Sequence, residues 1–97
     1  MKAKYSEFVR YCIRFYTRYP HPIFRGKTDR EDWAAARNAL DDFTEEEKDI
    51  LVNVYSLRDT LTDNVSHISE ILRLDQRHVW KLMADYERAV AKRRGLI

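Results

Sequence analysis

The sequence has few of the residues that break or cross-link a chain. Its 97 residues include two glycines, two prolines and one cysteine. So few glycines and prolines argue against a sheet-rich fold with many tight turns, and the ordinary apolar content argues against disorder. A single cysteine leaves no internal disulfide. We therefore expect one all-α domain over residues 1–97, with N-terminal helices in residues 1–39 and a second part in residues 40–97.

Long apolar runs are also absent from the sequence. No stretch resembles a signal peptide or a membrane span, so we expect no membrane partner. The lone cysteine suits a reducing compartment. A cytoplasmic location is therefore the expectation.

Charge is unevenly distributed, although the net charge is only +2. Residues 1–27 carry seven Lys or Arg against one acid, residues 28–70 carry four against twelve, and residues 71–97 carry seven against three. Two basic ends around an acidic middle are compatible with a basic face for a polyanion and an acidic face turned away from it. The alternative is that these charges simply form solvated helix surfaces.

Apolar residues recur at helical spacing and predict about five helices. The predicted segments are residues 4–19, 28–41, a third helix from residue 44, residues 65–72, and a last helix that reaches residue 93. In the first helix, an arginine row occupies the face opposite the apolar stripe; its members are Arg10, Arg14 and Arg18. In the fourth helix, the predicted buried residues are Val65, Ile68, Ile71 and Leu72.

Local patterns predict where the helices begin and end. Capping-box spacing in TDRE, from Thr28, and in TEEE, from Thr44, predicts the starts of the second and third helices. Residues 56–64 have no clean period and predict a loop, with Asn64 or Thr62 as the cap of the fourth helix. Gly95 sits where a left-handed C-terminal cap of the last helix is expected, a position that favours glycine.

The stretch RLDQRHVW decides between one long helix and two helices joined by a corner. Periodicity permits a straight helix, because Val79 lies only about 20° from Ile68 in phase. A straight helix, however, would place the carboxylate of Asp75 in the apolar stripe. A corner lets Leu74 fold into the core and makes Asp75 an N-cap worth about 1 kcal/mol. We therefore predict the corner, although Arg73 stands where such turns often carry glycine.

The C-terminal part of the chain resembles a known family of DNA-binding proteins. FTEEEKDILVNVY, followed by VSHISEILRLDQRHVWKLMADYERAV, resembles the helix-turn-helix of sigma-factor region 4. It is more closely similar to phage-encoded late-transcription regulators of the ArpU and RinA type, which often end in a stretch similar to AVAKRRGLI. The resemblance covers about residues 40–97. It implies a phage-derived regulator of transcription that binds double-stranded DNA with its last helix in the major groove.

On this interpretation, the exposed N-terminal side of the last helix reads the bases. Glutamine can make two hydrogen bonds to adenine and arginine two to guanine. The predicted base contacts are Gln76, Arg77 and Lys81. The predicted contacts to the DNA backbone are Arg73, His78, Lys92, Arg93 and Arg94. The arginine row of the first helix is a weaker phosphate candidate, and all these residues have the alternative of being ordinary surface charges.

The first helix has more aromatic residues than one buried face needs. Tyr11 and Phe15 lie on its flank toward the arginine row, which indicates a homodimer contact unless the rings simply fill the core. Trp80 is expected to pack against an N-terminal helix or a partner subunit, since an isolated exposed tryptophan is uncommon. A second hypothesis for function follows. The helical domain is then a protein-interaction module that docks on RNA polymerase or another regulator, without DNA contact.

No pattern typical of an enzyme is present. The histidines are scattered, and none has an acid at the spacing of zinc ligands; they are His21, His67 and His78. There is no glycine-rich phosphate loop or nucleophile elbow, and Cys12 lies on the apolar stripe. We therefore expect no enzymatic activity, no cofactor and no metal site.

Overall fold

The computed structural model describes residues 4–97 and contains five α-helices, with no strand in that part of the chain. The helices are α1 (Ser6–Arg18), α2 (Lys27–Ala39), α3 (Glu45–Ser56), α4 (Leu61–Leu72) and α5 (Gln76–Arg93), and a short 3₁₀ turn (Leu40–Asp42) follows α2. The prediction of an all-α fold with about five helices is confirmed. The first three residues of the predicted domain lie outside the described residues. Within residues 4–97, no helix combines the length and apolar character that crossing a bilayer requires.

Helix α5 is the central element, because it packs against each of the other four α-helices. The apolar residues that it buries include Val79, Leu82, Tyr86 and Val90. The Tyr86 hydroxyl donates to the carbonyl oxygen of Ala36 in α2, at 2.7 Å. Gly95 follows the helix with a φ of 71°, which confirms the predicted left-handed cap. The core is therefore organised around one side of α5.

The apolar stripe predicted for α1 is only partly buried, because two of its members, Phe8 and Tyr19, are 38% and 56% exposed. Val9, Cys12 and Ile13 are fully buried, and the helix packs against α2, α3 and α5. Burial, with the nearby carboxylate of Asp32, raises the pKa of the Cys12 thiol to about 12. Cys12 therefore acts as a small core residue.

The predicted arginine row of α1 is largely turned into the molecule rather than outward. Nε of Arg10 lies 2.9 Å from the carboxylate of Glu87, a buried residue that also accepts from the hydroxyl of Tyr55. Nη2 of Arg18 donates to the carbonyl oxygen of Leu57 at 3.0 Å. The three arginines are therefore only partly exposed, because α5 and the α3–α4 connection supply acceptors on that flank of α1.

The two predicted capping boxes have different outcomes. Thr44 Oγ1 accepts from the N–H of Glu47 at 3.2 Å, and Glu47 Oε1 accepts from the N–H of Thr44 at 2.9 Å, which confirms the first turn of α3. Helix α2 instead begins before Thr28 and has no side-chain cap. Glu31, the predicted partner of Thr28, lies 3.2 Å from Arg94. A long-range ion pair thus replaces the predicted local bond.

The loop between α3 and α4 is shorter than predicted. Helix α4 begins at Leu61, after the cap residue Thr60. Asn64, one of the two predicted caps, lies inside the helix and is buried. Its amide nitrogen donates to the carbonyl oxygens of Val54 at 2.8 Å and Leu57 at 3.1 Å. Asn64 therefore serves the C-terminal end of α3, whose carbonyls lack intrahelical partners, while Thr60 caps α4 by accepting from the N–H of Asp63.

Helix α4 buries fewer of its last residues than predicted. Ile71 is 60% exposed and Leu72 is 46% exposed, although both are apolar and were expected in the core. The inner face of α4 is formed by residues that lie earlier in the helix, among them Leu61, Val65 and Ile68. The buried face of α4 ends at Ser69, so its final turn is only partly covered.

The corner between α4 and α5 is confirmed. Arg73 adopts the left-handed conformation, with φ 54° and ψ 49°. The N–H groups of Arg73 and Leu74 both donate to the carbonyl of Ser69, the second at 2.9 Å, and this closes α4. Leu74 packs against the core, and Asp75 Oδ1 accepts from the N–H of Arg77 at 2.8 Å. We refer to the three residues from Arg73 to Asp75 as the corner.

Candidate nucleic-acid interface

The outer face of α5 carries a row of basic side chains, which we call the basic row. Arg77, Lys81 and Arg88 are exposed and lie on one helix face, with the small residue Ala84 exposed between them. At 1.5 Å per residue, the row is about 17 Å long. The sequence prediction included the first two residues but missed Ala84 and Arg88. Ala84 and Arg88 lie seven and eleven residues after Arg77. This is helical spacing, so the sequence alone could have placed both residues on the same face as Arg77.

Arg77 is held at the start of α5 by the residue that caps the helix. Its Nη2 lies 3.0 Å from Oδ2 of Asp75, while its backbone N–H donates to the other carboxylate oxygen. The pKa of Asp75 lies below its ordinary value of 3.8, chiefly because its carboxylate accepts from the Arg77 guanidinium and next because it accepts from the Arg77 backbone N–H. The Arg77 side chain is nevertheless 92% exposed, so the ion pair costs little to open. Asp75 thus starts the helix and orients Arg77.

The other residues predicted near the start of α5 are exposed as well. Gln76 and His78 lie in its first turn, and Arg73 lies in the corner just before it. Lys81 follows one turn later, with its Nζ 3.2 Å from Oδ2 of Asp85. The structure therefore brings five of the eight predicted contact residues to one end of α5.

The remaining three predicted residues lie at the opposite end of α5. Lys92 is exposed but lies about 22 Å along the helix axis from Arg77. Arg93 is near the acidic 3₁₀ turn, with its Nη2 3.8 Å from Oδ1 of Asp42. These side chains cannot contact the same few bases as Arg77, so any role in binding would be at more distant phosphates.

Arg94 is used inside the protein. Its Nε lies 3.0 Å from Oδ1 of Asp32, which is buried, and its Nη1 lies 3.2 Å from Oε2 of Glu31. The guanidinium also lies 5.9 Å from the ring centroid of Phe8. Arg94 thus joins the C-terminal end of α5 to α1 and α2, and its charge is compensated there.

A cleft next to α5 was not anticipated from the sequence. It is lined by α1, by the first turn of α4 and by Trp80, whose ring is half-buried against the core. Arg14 lines the cleft, and its Nε has no hydrogen-bond partner among the described residues. Thr60 and Thr62 mark the positive end of the α4 dipole, whereas Glu7 adds one negative charge. No local signal in the sequence reveals that α1 and the start of α4 are neighbours.

The titratable side chains of the described residues also bear on whether a metal site is present. Within residues 4–97, no group of three or more His, Cys, Asp or Glu is arranged to hold a metal ion. The buried Tyr55 is hydrogen-bonded to Glu87, and its pKa is raised by burial and then by that carboxylate. These two groups link α3 to α5 in the core.

Comparisons with protein-family models, with curated proteins and with solved structures gave no match to this chain. What the structure itself shows, for the described residues 4–97, is an all-α fold of five α-helices. On its surface, a basic row begins immediately after a capped corner between two packed helices.

Proposed function

We propose that this protein is a sequence-specific regulator of transcription that binds double-stranded DNA. In this proposal α4, the corner and α5 act as a helix-turn-helix, with α5 in the major groove. The basic row carries the proposal, because it is exposed and begins at the N-terminal end of α5. A major groove about 12 Å wide admits one α-helix, and recognition helices contact base edges with their N-terminal residues.

The base contacts are assigned to the first two turns of α5. Arg77 donates two hydrogen bonds to guanine, Gln76 pairs with adenine, and Lys81 reaches a base edge or a phosphate. Ala84 is small, so it allows the middle of the helix to approach the groove floor closely. The bond from Arg77 to Asp75 is exposed to solvent, so it opens readily when Arg77 turns to a base.

The backbone contacts are assigned to cations around the basic row. Arg73 and His78 flank the start of α5, while Arg88, Lys92 and Arg93 follow along it. Arg14, in the cleft beside Trp80, supplies a further cation next to the positive end of α4. We leave Arg94 out of the contact set, because its charge compensates the buried Asp32.

The sequence adds independent support for this function. Residues 40–97 resemble the helix-turn-helix of sigma-factor region 4 and phage regulators of the ArpU and RinA type. Such a domain presents its second helix to DNA, which is the helix that carries the basic row here. A regulator of this kind would act next to RNA polymerase.

The first test measures whether duplex DNA is bound and how salt affects it. Fluorescence anisotropy of labelled duplex should show binding at low salt. The logarithm of affinity should fall linearly with the logarithm of salt concentration, because bound cations release counterions from the phosphates. A protein with no detectable affinity at low salt would contradict DNA binding.

The second test asks whether Arg77 reads sequence. Binding selection from random duplexes first supplies a preferred site. Arg77→Ala should then weaken binding to that site by about 5- to 150-fold and weaken binding to random duplex much less. The helix should remain intact, since the cap uses the backbone N–H of residue 77. Arg37→Ala, an exposed arginine of α2, is the matched control and should change neither affinity.

A second candidate function is a protein-interaction module without DNA contact. The observation that favours it is the exposed acidic surface at the end of α2 and the start of α3, formed by Asp41, Asp42, Glu45 and Glu46. RNA polymerase or another regulator with a basic surface would be the partner. Absence of duplex binding at low salt, together with binding to such a partner, would select this function.

A further inference from the structure

Four aromatic side chains form a continuous band along the outer surface of α1, which we call the aromatic stripe. Its members are Phe8, Tyr11, Phe15 and Tyr19. Successive ring centroids along the stripe are 6.4, 6.2 and 6.2 Å apart. Tyr11 is 51% exposed and Tyr19 is 56% exposed. Contiguous exposed aromatic surface is typical of protein contact sites.

The aromatic stripe is separate from the surface that folds α1 into the domain. The core contacts are made by the opposite flank, where Val9 and Ile13 are fully buried. The stripe touches the rest of the protein where Phe15 meets Phe24, with ring centroids 6.4 Å apart, and where the Arg94 guanidinium lies 5.9 Å from the ring centroid of Phe8. About half of the surface of Tyr11 and of Tyr19 is therefore left for contact with another molecule.

Charges of opposite sign stand at the two ends of the aromatic stripe. Glu7 lies at its start and Arg18 near its end, and neither forms an ion pair within residues 4–97. Burial and the nearby cations Arg58 and Arg14 lower the pKa of Arg18. An acidic group brought to Arg18 from outside would therefore be stabilising.

We propose that the aromatic stripe binds a second copy of this chain through antiparallel packing of two α1 helices. A two-fold axis between Tyr11 and Phe15 places each of these rings against the other ring of the second copy. The same axis brings Glu7 within about one helical turn of Arg18 of the second copy, twice in the dimer. Parallel packing would instead place like charges together, which disfavours it.

This dimer leaves the basic row of α5 accessible. Arg10, which contacts Glu87 of α5, lies on the other flank of α1 from the stripe. The second copy therefore covers the aromatic flank of α1, and the outer face of α5 stays free even though Glu7 also borders the cleft beside Trp80. The proposal stands independently of DNA binding, and each can fail without the other.

The direct test is sedimentation of the full chain over a range of protein concentrations. The wild type should pass from monomer to dimer, and Tyr11→Ser should raise the dissociation constant about 10-fold or more. Ile71→Ser removes a similarly exposed apolar side chain from α4 and should leave dimerisation unchanged. A wild type that stays monomeric at every concentration, or a dimer equally insensitive to both substitutions, would overturn the proposal.

A charge exchange tests the antiparallel arrangement itself. Glu7→Lys and Arg18→Glu should each weaken self-association about 10-fold, since each substitution acts twice in a symmetric dimer. An equimolar mixture of the two variants should associate again, because every contact in the mixed dimer pairs opposite charges. A mixture that associates no better than either variant alone would contradict the antiparallel arrangement.

Two controls separate a loss of the intersubunit contact from a general effect of charge or a loss of the fold. Glu46→Lys makes the same charge change on α3 and should not affect association. Circular dichroism checks the fold of Arg18→Glu, because Arg18 also bonds Leu57. If Arg18→Glu unfolds, the test is the comparison of Glu7→Lys with Glu46→Lys. Equal dimer dissociation constants for these two variants would overturn the proposal.

Discussion

At Arg73 the backbone takes a conformation that costs a residue with a side chain roughly 1–2 kcal/mol. The corner tolerates it because two N–H groups close α4 on the carbonyl of Ser69 and because Leu74 enters the core. Glycine would make this turn at lower conformational cost. An arginine at this place suits a surface role, and it lies next to the start of the basic row.

Replacing Arg73 by glycine should stabilise the fold. Arg73→Gly removes the left-handed strain but adds freedom to the unfolded chain, so the free energy of unfolding should rise by about 0.5–1 kcal/mol. Arg88→Gly, at an exposed position inside α5, should lower it by about 1 kcal/mol. Urea unfolding followed by circular dichroism measures both. Equal losses in the two variants would show that the corner is not strained at residue 73.

Asp75 should make the stability depend on acid pH. Its pKa is lower in the folded protein than the ordinary value of 3.8 because its carboxylate accepts bonds from Arg77. Its contribution is therefore fully present above that ordinary value and is lost as pH falls through the folded-state pKa. Asp75→Asn keeps a capping oxygen but removes the charge. Thermal unfolding from neutral to strongly acidic pH should show a smaller acid loss in this variant, and an unchanged loss would contradict the assignment.

At the scale of elements, local pairs were predictable and distant ones were not. The bonds between Thr44 and Glu47 join residues three positions apart, so the sequence pattern predicted them. Asn64 bonds the end of the preceding helix, and Glu31 bonds Arg94 across the domain. A capping pattern cannot reveal such competing partners, which is why two of the predicted helix starts were wrong.

The candidate interface likewise contains residues that the sequence could predict and residues that it could not. Arg77 and Lys81 follow from the corner and the helical period, and Arg88 was equally available from that period. The position of Arg14 beside Trp80 was not, because it depends on how α1 packs against α4 and α5. The helical period therefore predicts which residues share a face of α5, whereas tertiary packing determines which side chains of other helices lie beside that face.

Ser69 should report how tightly α4 packs at the corner. Its side chain is buried, and its Oγ has no hydrogen-bond partner within residues 4–97. Ser69→Ala should therefore leave the free energy of unfolding unchanged or raise it by up to about 1 kcal/mol. Ser69→Leu should lower it by about 1–3 kcal/mol through overpacking. Chemical denaturation tests both, and a clear loss in Ser69→Ala would reveal a partner for the hydroxyl.

Over the whole molecule, the charge count of the sequence overstates the basic surface. Arg10 and Arg94 belong to the two basic ends of the chain, yet each is paired with a buried carboxylate, Glu87 or Asp32. These pairs tie α1, α2 and α5 together. Arg77 and Lys81, by contrast, pair only with the exposed carboxylates of Asp75 and Asp85. The cations on the outer face of α5 and in the corner therefore remain available to a polyanion.

The proposed dimer and the proposed DNA contact together predict the symmetry of the preferred DNA site. Two α5 helices related by a two-fold axis should select inverted repeats, with half-sites separated by about one helical turn or a multiple of it. The Tyr11→Ser variant keeps α5 intact, so selection from random duplexes should return the same half-site without its partner. If wild type and variant both returned one asymmetric site, the two copies would not bind DNA as a pair. If both returned the inverted repeat, the pairing would use a surface other than the aromatic stripe.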